Sequence, residues 1–285
     1  MSTLRTALQR TVAFLVDMSL WIALAFGSVA WFVQQALGLG DNAAPALLVG
    51  TSSLAIYLLD HLIDARVQPI PDEGIQRLFR RGGPAVLFLF ALAATVALTI
   101  AAPPAARWVL LGYITVGFSY GVPLFPGRRA GRPHTYRLKD APGMKAVIVA
   151  GAVVVSNVGI PLAYAGASLD LAACTIGLFV FTLMFTNTVL FDVRDLASDR
   201  AGQVPTLPVL LGFERTRTLL LVVSGVVALA LVLMAGASAP LAAMLLSLGA
   251  NAGWVLAVTP STKRWTYGTF IDGTLALPAL LLLAL

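Results

Sequence analysis

Charge is what this sequence has least of. Only 11% of its 285 residues are Asp, Glu, Lys or Arg, against about 25% in an ordinary soluble domain. So few ionisable groups cannot coat a water-soluble globule, and the high charge that keeps a disordered chain extended is missing as well. A single cysteine, Cys174, excludes a disulfide framework and a thiolate zinc site. Two histidines, His61 and His134, leave little for an imidazole metal centre. The basic residues sit in short loops with no folded basic domain among them, which argues against nucleic acid as a partner. What the chain has in abundance is apolar surface: 59% of its residues are hydrophobic and the mean hydropathy is +0.89. The expectation is a single polytopic domain, residues 1–285, with the lipid bilayer as its solvent.

A bilayer crossing takes about 20 mostly apolar residues. Nine stretches qualify, at 12–37, 43–63, 84–102, 105–126, 143–165, 171–193, 216–235, 239–258 and 268–285. Their polar residues do not alternate as in a barrel strand, so the spans are read as helices, which satisfy their own backbone in lipid. The first stretch is too long for a cleavable signal peptide and lacks a small-residue cleavage site. With these spans, 18 of the 19 basic residues fall on one side, and Arg107 alone falls on the other. That asymmetry makes the N-terminus and the polar loops cytoplasmic and puts the C-terminus outside.

Two of the cytoplasmic helix ends carry clustered acids. Helix 2 ends in Asp60, His61, Asp64 and Arg66; helix 6 ends in Asn187, Asp192, Arg194, Asp195, Asp199 and Arg200. The i, i+4 spacing of Asp60 and Asp64, and the i, i+3, i+7 spacing of Asp192, Asp195 and Asp199, put each set on one helix face. Like charges there repel, and a helix C-terminus already carries partial negative charge. Two such penalties in one chain call for a compensating cation. Carboxylates without Cys or His pairs suit Mg²⁺, which takes one or two carboxylates together with substrate phosphates. Arg66 and Arg200 stand ready for the same phosphates. Two acid clusters bracketing a diphosphate above an apolar cavity suit chemistry on a prenyl diphosphate. The alternative at each position is a solvated helix end. Asp60 and Asp64 repeat the Asp195–Asp199 spacing four helices earlier, which hints at a parallel pseudo-repeat of helices 1–4 and 5–8, followed by helix 9.

The segment Phe191-Asp-Val-Arg-Asp-Leu-Ala-Ser-Asp-Arg-Ala-Gly-Gln-Val-Pro-Thr-Leu-Pro-Val-Leu-Leu-Gly212 resembles the second motif of the UbiA superfamily of intramembrane prenyltransferases. The first motif of that family, NDxxDxxxD, is altered here: Ile56 stands at one possible Asn position, and in the other register Asp60 replaces the Asn and Gln68 the last Asp. Phe191 stands where the second motif often has Asn. The resemblance implies an all-α integral membrane fold, nine transmembrane helices around a central cavity under a cytoplasmic cap. It also implies Mg²⁺ held by Asp60, Asp64, Asp192, Asp195 and Asp199. A Tyr-x-x-Pro…Leu-Lys segment after helix 4 carries basic diphosphate ligands in the family. Here that segment supplies Tyr120, Arg137 and Lys139, with Lys145 following; Lys139 comes first among them as a ligand, then Lys145, and the alternative is a loop that is basic only for topology. Asn187 faces either the cavity or a neighbouring helix. His61 is either a helper of the first motif or a surface residue. Asp17 and Asp272 are further acids within spans, the second at the start of its helix.

The implied activity is Mg²⁺-dependent transfer of a prenyl group from its diphosphate to a lipophilic or aromatic acceptor in the membrane. Cyclisation of a prenyl diphosphate without an acceptor uses the same ionisation. Phosphoribosyl-type transfer to a polyprenyl phosphate resembles the same motif pair. A transporter is the non-enzymatic alternative, but the acids lie at helix ends and not at the midplane. The topology has a direct test. In a Cys174→Ser background, a cysteine at Arg132 should react with a membrane-impermeant thiol reagent only from the cytoplasmic face; labelling from outside would invert the assignment.

Overall fold

The computed structural model describes residues 14–15, 18–67, 82–121, 125–129, 132–136, 138, 141–234 and 238–285. Asp17, Gln68, Arg137 and Lys139 lie outside the described residues, as do the side chains of Asp64 and Arg66. In chain order the helices are α1 (Leu20–Ala36), α2 (Ala44–Val67), α3 (Gly83–Ala101) and α4 (Pro104–Gly121), then α5 (Lys145–Ala165) and α6 (Leu171–Arg194). They continue with the short α7 (Leu196–Ala201) and α8 (Leu207–Leu211), then α9 (Phe213–Met234), α10 (Ala239–Ala257) and α11 (Arg264–Ala284). Between α4 and α5 the chain forms one antiparallel hairpin, β1 (Phe125–Arg129) paired with β2 (Arg132–Tyr136), with Phe125 opposite Tyr136 and Arg129 opposite Arg132.

Local chemistry sets the helix ends. Asp170 accepts a hydrogen bond from the Ala173 amide (2.8 Å) at the start of α6, and Ser238 does the same for Leu241 (3.3 Å) at the start of α10. Each satisfies one of the amides that a first helical turn leaves orphaned. Proline sits in the first turn of α3, α8 and α10, where its missing N–H costs nothing. The tight return from α1 to α2 needs left-handed backbone at Gly38 (φ 64°) and Gly40 (φ 90°), which glycine adopts without a Cβ penalty.

Each of the nine expected spans overlaps a helix among the described residues, though 105–126 runs beyond α4 to the start of β1, and among those residues not all nine helices qualify as crossings. Seven helices are long and apolar enough to cross a membrane: α2, α3, α5, α6, α9, α10 and α11. The first, α1, is apolar but only 17 residues long. The fourth, α4, is 18 residues long and is diluted by Arg107 and several small or polar residues. Two of the seven are irregular. In α5 the segment Val155–Gly159 is π-helical. In α11, π-helical Tyr267–Ile271 passes into 3₁₀-helical Asp272–Ala276. The last helix also starts at Arg264, ahead of the expected 268, so Asp272 lies well inside it and not at its start.

Burial sorts the helices. α6 is covered on almost every face and forms the axis of the bundle, with Phe179 edge-on to Phe32 of α1 at 5.8 Å. α3 and α9 lie outside and present Leu89, Phe90, Ile100, Leu229 and Leu233 outward. So apolar a surface has no place in water. Polar contacts tie the layers together: Asn251 of α10 donates to the Leu183 carbonyl of α6 (3.1 Å), and Ser53 of α2 bonds Tyr113 of α4 (3.1 Å).

α1 and α2 approach most closely where both carry small residues. A Cβ on Gly50 would stand 3.2 Å from the Ala23 carbonyl oxygen, and one on Gly27 would stand 3.1 Å from that of Ala46. Small residues permit this backbone approach inside membranes. Gly50→Val should therefore destabilise the bundle by about 1–3 kcal/mol, read as a lower thermal midpoint in detergent. Gly225→Ala, where a Cβ meets nothing within 4 Å, should leave the midpoint unchanged. Equal behaviour of the two variants would remove the close-approach argument.

Candidate functional site

The acids of helix 6 are arranged by a break in the chain. α6 ends at Arg194, Asp195 leaves helical geometry (φ −94°, ψ 8°), and α7 restarts at Leu196. The expected helical run through Asp192, Asp195 and Asp199 is therefore interrupted at Asp195, while the Asp195 amide still bonds the Phe191 carbonyl (3.0 Å) and the Asp199 amide the Asp195 carbonyl (2.8 Å). Asp192 belongs to the end of α6, Asp195 to the joint, and Asp199 to α7. Three carboxylates on one continuous helix end would repel; the joint lets each find its own partner.

Asp192 is fully buried. Its Oδ1 accepts from Lys145 Nζ at the first position of α5, and its Oδ2 has no hydrogen-bond partner among the described residues. Asp195 is held by two guanidinium groups. Arg194 donates to both of its oxygens, at 2.9 and 2.6 Å, and Arg264 at the start of α11 donates to Oδ1 at 3.1 Å. Burial raises the Asp195 pKa, but the hydrogen bonds and charges of Arg194 and Arg264 outweigh it and hold the carboxyl below its ordinary value. Asp199 accepts from Thr206 Oγ1 at 3.1 Å. Burial, with help from the Asp195 charge, raises its pKa against the opposing effects of Lys145 and Thr206. The Arg194 guanidinium also lies 4.6 Å from the centre of the Phe191 ring and 5.8 Å from that of Tyr267, a favourable placement of a cation on aromatic faces.

The loops pack onto this joint. After α7 the chain turns at Gln203 (φ 54°) and runs extended to Thr206. The Gly143 amide, two residues before Lys145, donates to the Pro205 carbonyl at 2.8 Å. The loop that delivers Lys145 is therefore anchored to the turn that carries Thr206.

Among the other expected site residues, Asp60 and Tyr120 are described and half-buried, and Arg200 is exposed on α7. His61 lies within 3.3 Å of Ser19 Oγ and so links α2 to the entry of α1. Asn187 does not stand free. Its Nδ2 donates to the Ile271 carbonyl (3.1 Å) and to Asp272 Oδ1 (3.3 Å), so it bonds α11, the neighbouring-helix alternative. Arg264, Arg194 and Thr206 enter the site without having been singled out. The positive-inside pattern accounts for both arginines without a site role, and Thr206 sits in the Thr-Leu-Pro run of the motif.

Among the described residues, no three acidic, His or Cys groups gather at metal-binding distance. The donor set nonetheless suits a hard cation: it is all carboxylate, and Asp192 Oδ2 is a buried acceptor with no donor. The Lys145–Asp192 pair also has a testable cost. Breaking a buried pair leaves an uncompensated charge, worth about 3 kcal/mol or more. Lys145→Met should lower the thermal midpoint sharply, and adding Asp192→Asn should restore most of the loss. A double variant no more stable than Lys145→Met alone would show that the two residues act independently.

Comparison with known proteins bears on the fold and the family. The family model for the UbiA prenyltransferase family matches residues 58–270. Among solved structures, a UbiA homolog from Archaeoglobus fulgidus bound to GPP and Mg²⁺ superposes with a TM-score of 0.59 at 16% identity, covering 95% of this chain and 99% of that one. A UbiA homolog from the same organism bound to DMAPP and Mg²⁺ gives 0.52 at 18% identity, covering 97% of each chain, and one bound to Cd²⁺ gives 0.54 at 18%, again with 97% of each. A search of curated proteins returned no match. The family match spans most of the chain and includes both acid clusters and the start of α11, and it is on this ground that the chain belongs to the UbiA prenyltransferase family.

Proposed function

We propose that the protein is an intramembrane transferase that moves a prenyl group from a prenyl diphosphate to a lipophilic or aromatic acceptor. The observation that carries this reading is Asp192: a buried carboxylate at the end of a membrane helix, one oxygen on Lys145 and the other without a donor among the described residues. An acid so placed is costly in an apolar surrounding. It is explained if the second oxygen serves a cation that arrives with the substrate. The similar structures bound to GPP or DMAPP with Mg²⁺ support the same choice of substrate and ion.

On this reading Asp192, Asp195 and Asp199, with Asp60 and Asp64 from α2, hold Mg²⁺. Bound there, Mg²⁺ supplies positive charge that offsets the charge developing on the diphosphate as the allylic C–O bond breaks. The protein's own residues do the rest. Lys145, Arg194 and Arg264 already converge on the acids, and each can turn a donor toward phosphate oxygens when the substrate enters. Lys139, Arg137, Arg66 and Arg200 complete the basic surround, and the Tyr120 hydroxyl adds a neutral donor. The polar end of the bundle faces the cytoplasm under a cap formed by the hairpin and the joint between α6 and α9. α1 and α4 complete a nine-helix wall around the cavity. The apolar interior holds the prenyl chain and keeps water from the cationic carbon.

Asp195→Asn and Asp199→Asn separate this reading from a purely structural role. If the acids only crowd a helix end, removing one charge should leave turnover intact and raise stability by a few tenths of a kcal/mol. If they hold the ion, diphosphate release from geranyl diphosphate should fall by several orders of magnitude, and chelation should abolish it in the unmodified protein. Activity that survives complete chelation would reject the proposal.

A further inference from the structure

One acid lies within the bundle and takes no part in holding the diphosphate. Asp272 is eight residues into α11, about 12 Å along the axis from Arg264 at ~1.5 Å per residue. Its partner Asn187 precedes Asp192 by five residues on α6, about 7–8 Å along the same axis. The Asp272 carboxyl therefore sits roughly a turn and a half deeper in the bundle than the Asp192 carboxylate. That is the level of the first carbons of a prenyl chain whose diphosphate is held at the acids.

The helix is distorted at this residue. π-helical Tyr267–Ile271 gives way to 3₁₀ structure at Asp272, and π turns concentrate at functional sites. Side chains from three helices take up the backbone groups that the distortion frees. Trp21 of α1 donates to the Thr269 carbonyl at 3.0 Å, Asn187 of α6 to that of Ile271 at 3.1 Å, and Thr274 to the same oxygen at 2.6 Å. Trp21 also packs on the face of Gly273, where a Cβ would lie 3.4 Å from its ring. The backbone is thus satisfied without the Asp272 carboxyl. Tyr267 and Ile271 are completely buried, yet Asp272 keeps part of its surface open. The side chain lies within electrostatic reach of Tyr57 on α2, which also feels Asp60. Its Oδ1 accepts from Asn187, and Arg194, a basic group within electrostatic reach, donates through Nε and Nη2 to both oxygens of Asp195 instead. An ionisable group inside a span, held in place but not neutralised, marks a functional position.

We propose that Asp272 binds the second substrate: it accepts the hydrogen bond of the acceptor's protic head group and takes its proton during transfer. This rests on the prenyl-transfer reading. In the step, the nucleophilic atom of the acceptor bonds to the first carbon of the prenyl chain. The bond from that carbon to the diphosphate oxygen breaks, and its electron pair leaves with the diphosphate. The proton displaced from the acceptor passes to the ionised Asp272 carboxylate, at the oxygen that Asn187 does not occupy. Asn187 is a positioning residue for it. The acceptor class follows from the charge: a neutral phenol or alcohol is favoured and a carboxylate is repelled at this depth.

Asp272→Asn keeps the shape and the bond from Asn187 and removes the base. The experiment measures three things in the purified full-length protein: thermal midpoint, Mg²⁺-dependent binding of geranyl thiolodiphosphate, and transfer from tritiated geranyl diphosphate to naphthol, to hydroxynaphthoate and to a membrane lipid extract. The unmodified protein should alkylate naphthol or lipid in preference to hydroxynaphthoate. Asp272→Asn should keep its midpoint and bind the thiolodiphosphate within about twofold, while transfer drops by 100-fold or more, the usual worth of a positioned base. Asp272→Glu, which restores a carboxylate, should transfer faster than Asp272→Asn. The proposal is overturned if Asp272→Asn transfers normally, or if it loses thiolodiphosphate binding together with transfer, which would make the residue structural. It is also overturned if the unmodified protein releases diphosphate and alkylates nothing, for then no acceptor proton exists to be taken. Failure of the unmodified protein to bind the thiolodiphosphate at all would instead remove the prenyl diphosphate reading beneath it.

Discussion

The carboxylate of Asp192 is the constraint on which this end of the molecule depends. It is a fully buried charge at the last turn of the most enclosed helix. Burial of a charge is tolerated only with a partner, and the partner is Lys145. Lys145 opens α5, so the ion pair fixes where α5 begins against α6. The Gly143 amide then binds the Pro205 carbonyl, and Thr206 binds Asp199. The loop after the hairpin, the α6–α7 joint and the first turn of α5 thereby become one unit. A buried pair is a weak source of stability compared with apolar packing; here it sets the register of two helices that apolar side chains alone could pack in several ways.

The same logic governs the irregular helices. In α5 the π segment carries Asn157, which donates to the Val153 carbonyl and to Ser156 Oγ at 3.0 Å each. In α11 the π segment is closed by Asn187 and Trp21 from other helices. Lipid offers freed backbone groups no partner, so each distortion has to face protein. Both do, and Tyr113, Ser53 and Asn251 extend the polar interior between them and the bundle axis. The outer helices α3 and α9 have no such groups to satisfy and stay regular and apolar.

Much of this arrangement was legible in the residues. Long apolar runs bounded by Gly, Pro and capping residues locate helices because lipid permits little else, and the acid spacing singled out the end of α6 as a candidate site. Two kinds of feature were not legible. The irregularity of α11 leaves little trace in composition: the side chains that close Tyr267–Ile271 come mainly from α1 and α6, whereas Val155–Gly159 in α5 does carry a cue, Ser156 and Asn157 followed by Pro161. Pairing across the bundle was equally hidden. Arg264 and Asp195 are 69 residues apart, and the positive-inside pattern gave Arg264 a sufficient explanation before its contact was known. The joint within the Asp192–Asp199 cluster was hidden for a related reason. Spacing alone assumes a continuous helix, and the repulsion that made the cluster conspicuous also favours breaking the helix there.

The placement of charge at the joint has a further logic. A helix disfavours acids at its C-terminus and cations at its N-terminus. Asp192 and Asp195 sit at the C-terminal end of α6, while Lys145 and Arg264 sit at the N-terminal starts of α5 and α11. Each is the wrong charge for that helix end, although Asp195 also opens α7, where an acid is favoured. Because the neighbouring helices run antiparallel, the wrong charges lie beside one another, and Lys145 with Asp192 and Arg264 with Asp195 offset both penalties together. Stability alone would be served better by reversing all four, with cations at the end of α6 and acids at the starts of its neighbours. The arrangement found gives up that advantage and gains exchangeable partners. On the proposed function, a divalent cation with a diphosphate brings one group for the acids and one for the bases. The ion pairs that close the site without substrate then become the contacts that receive it.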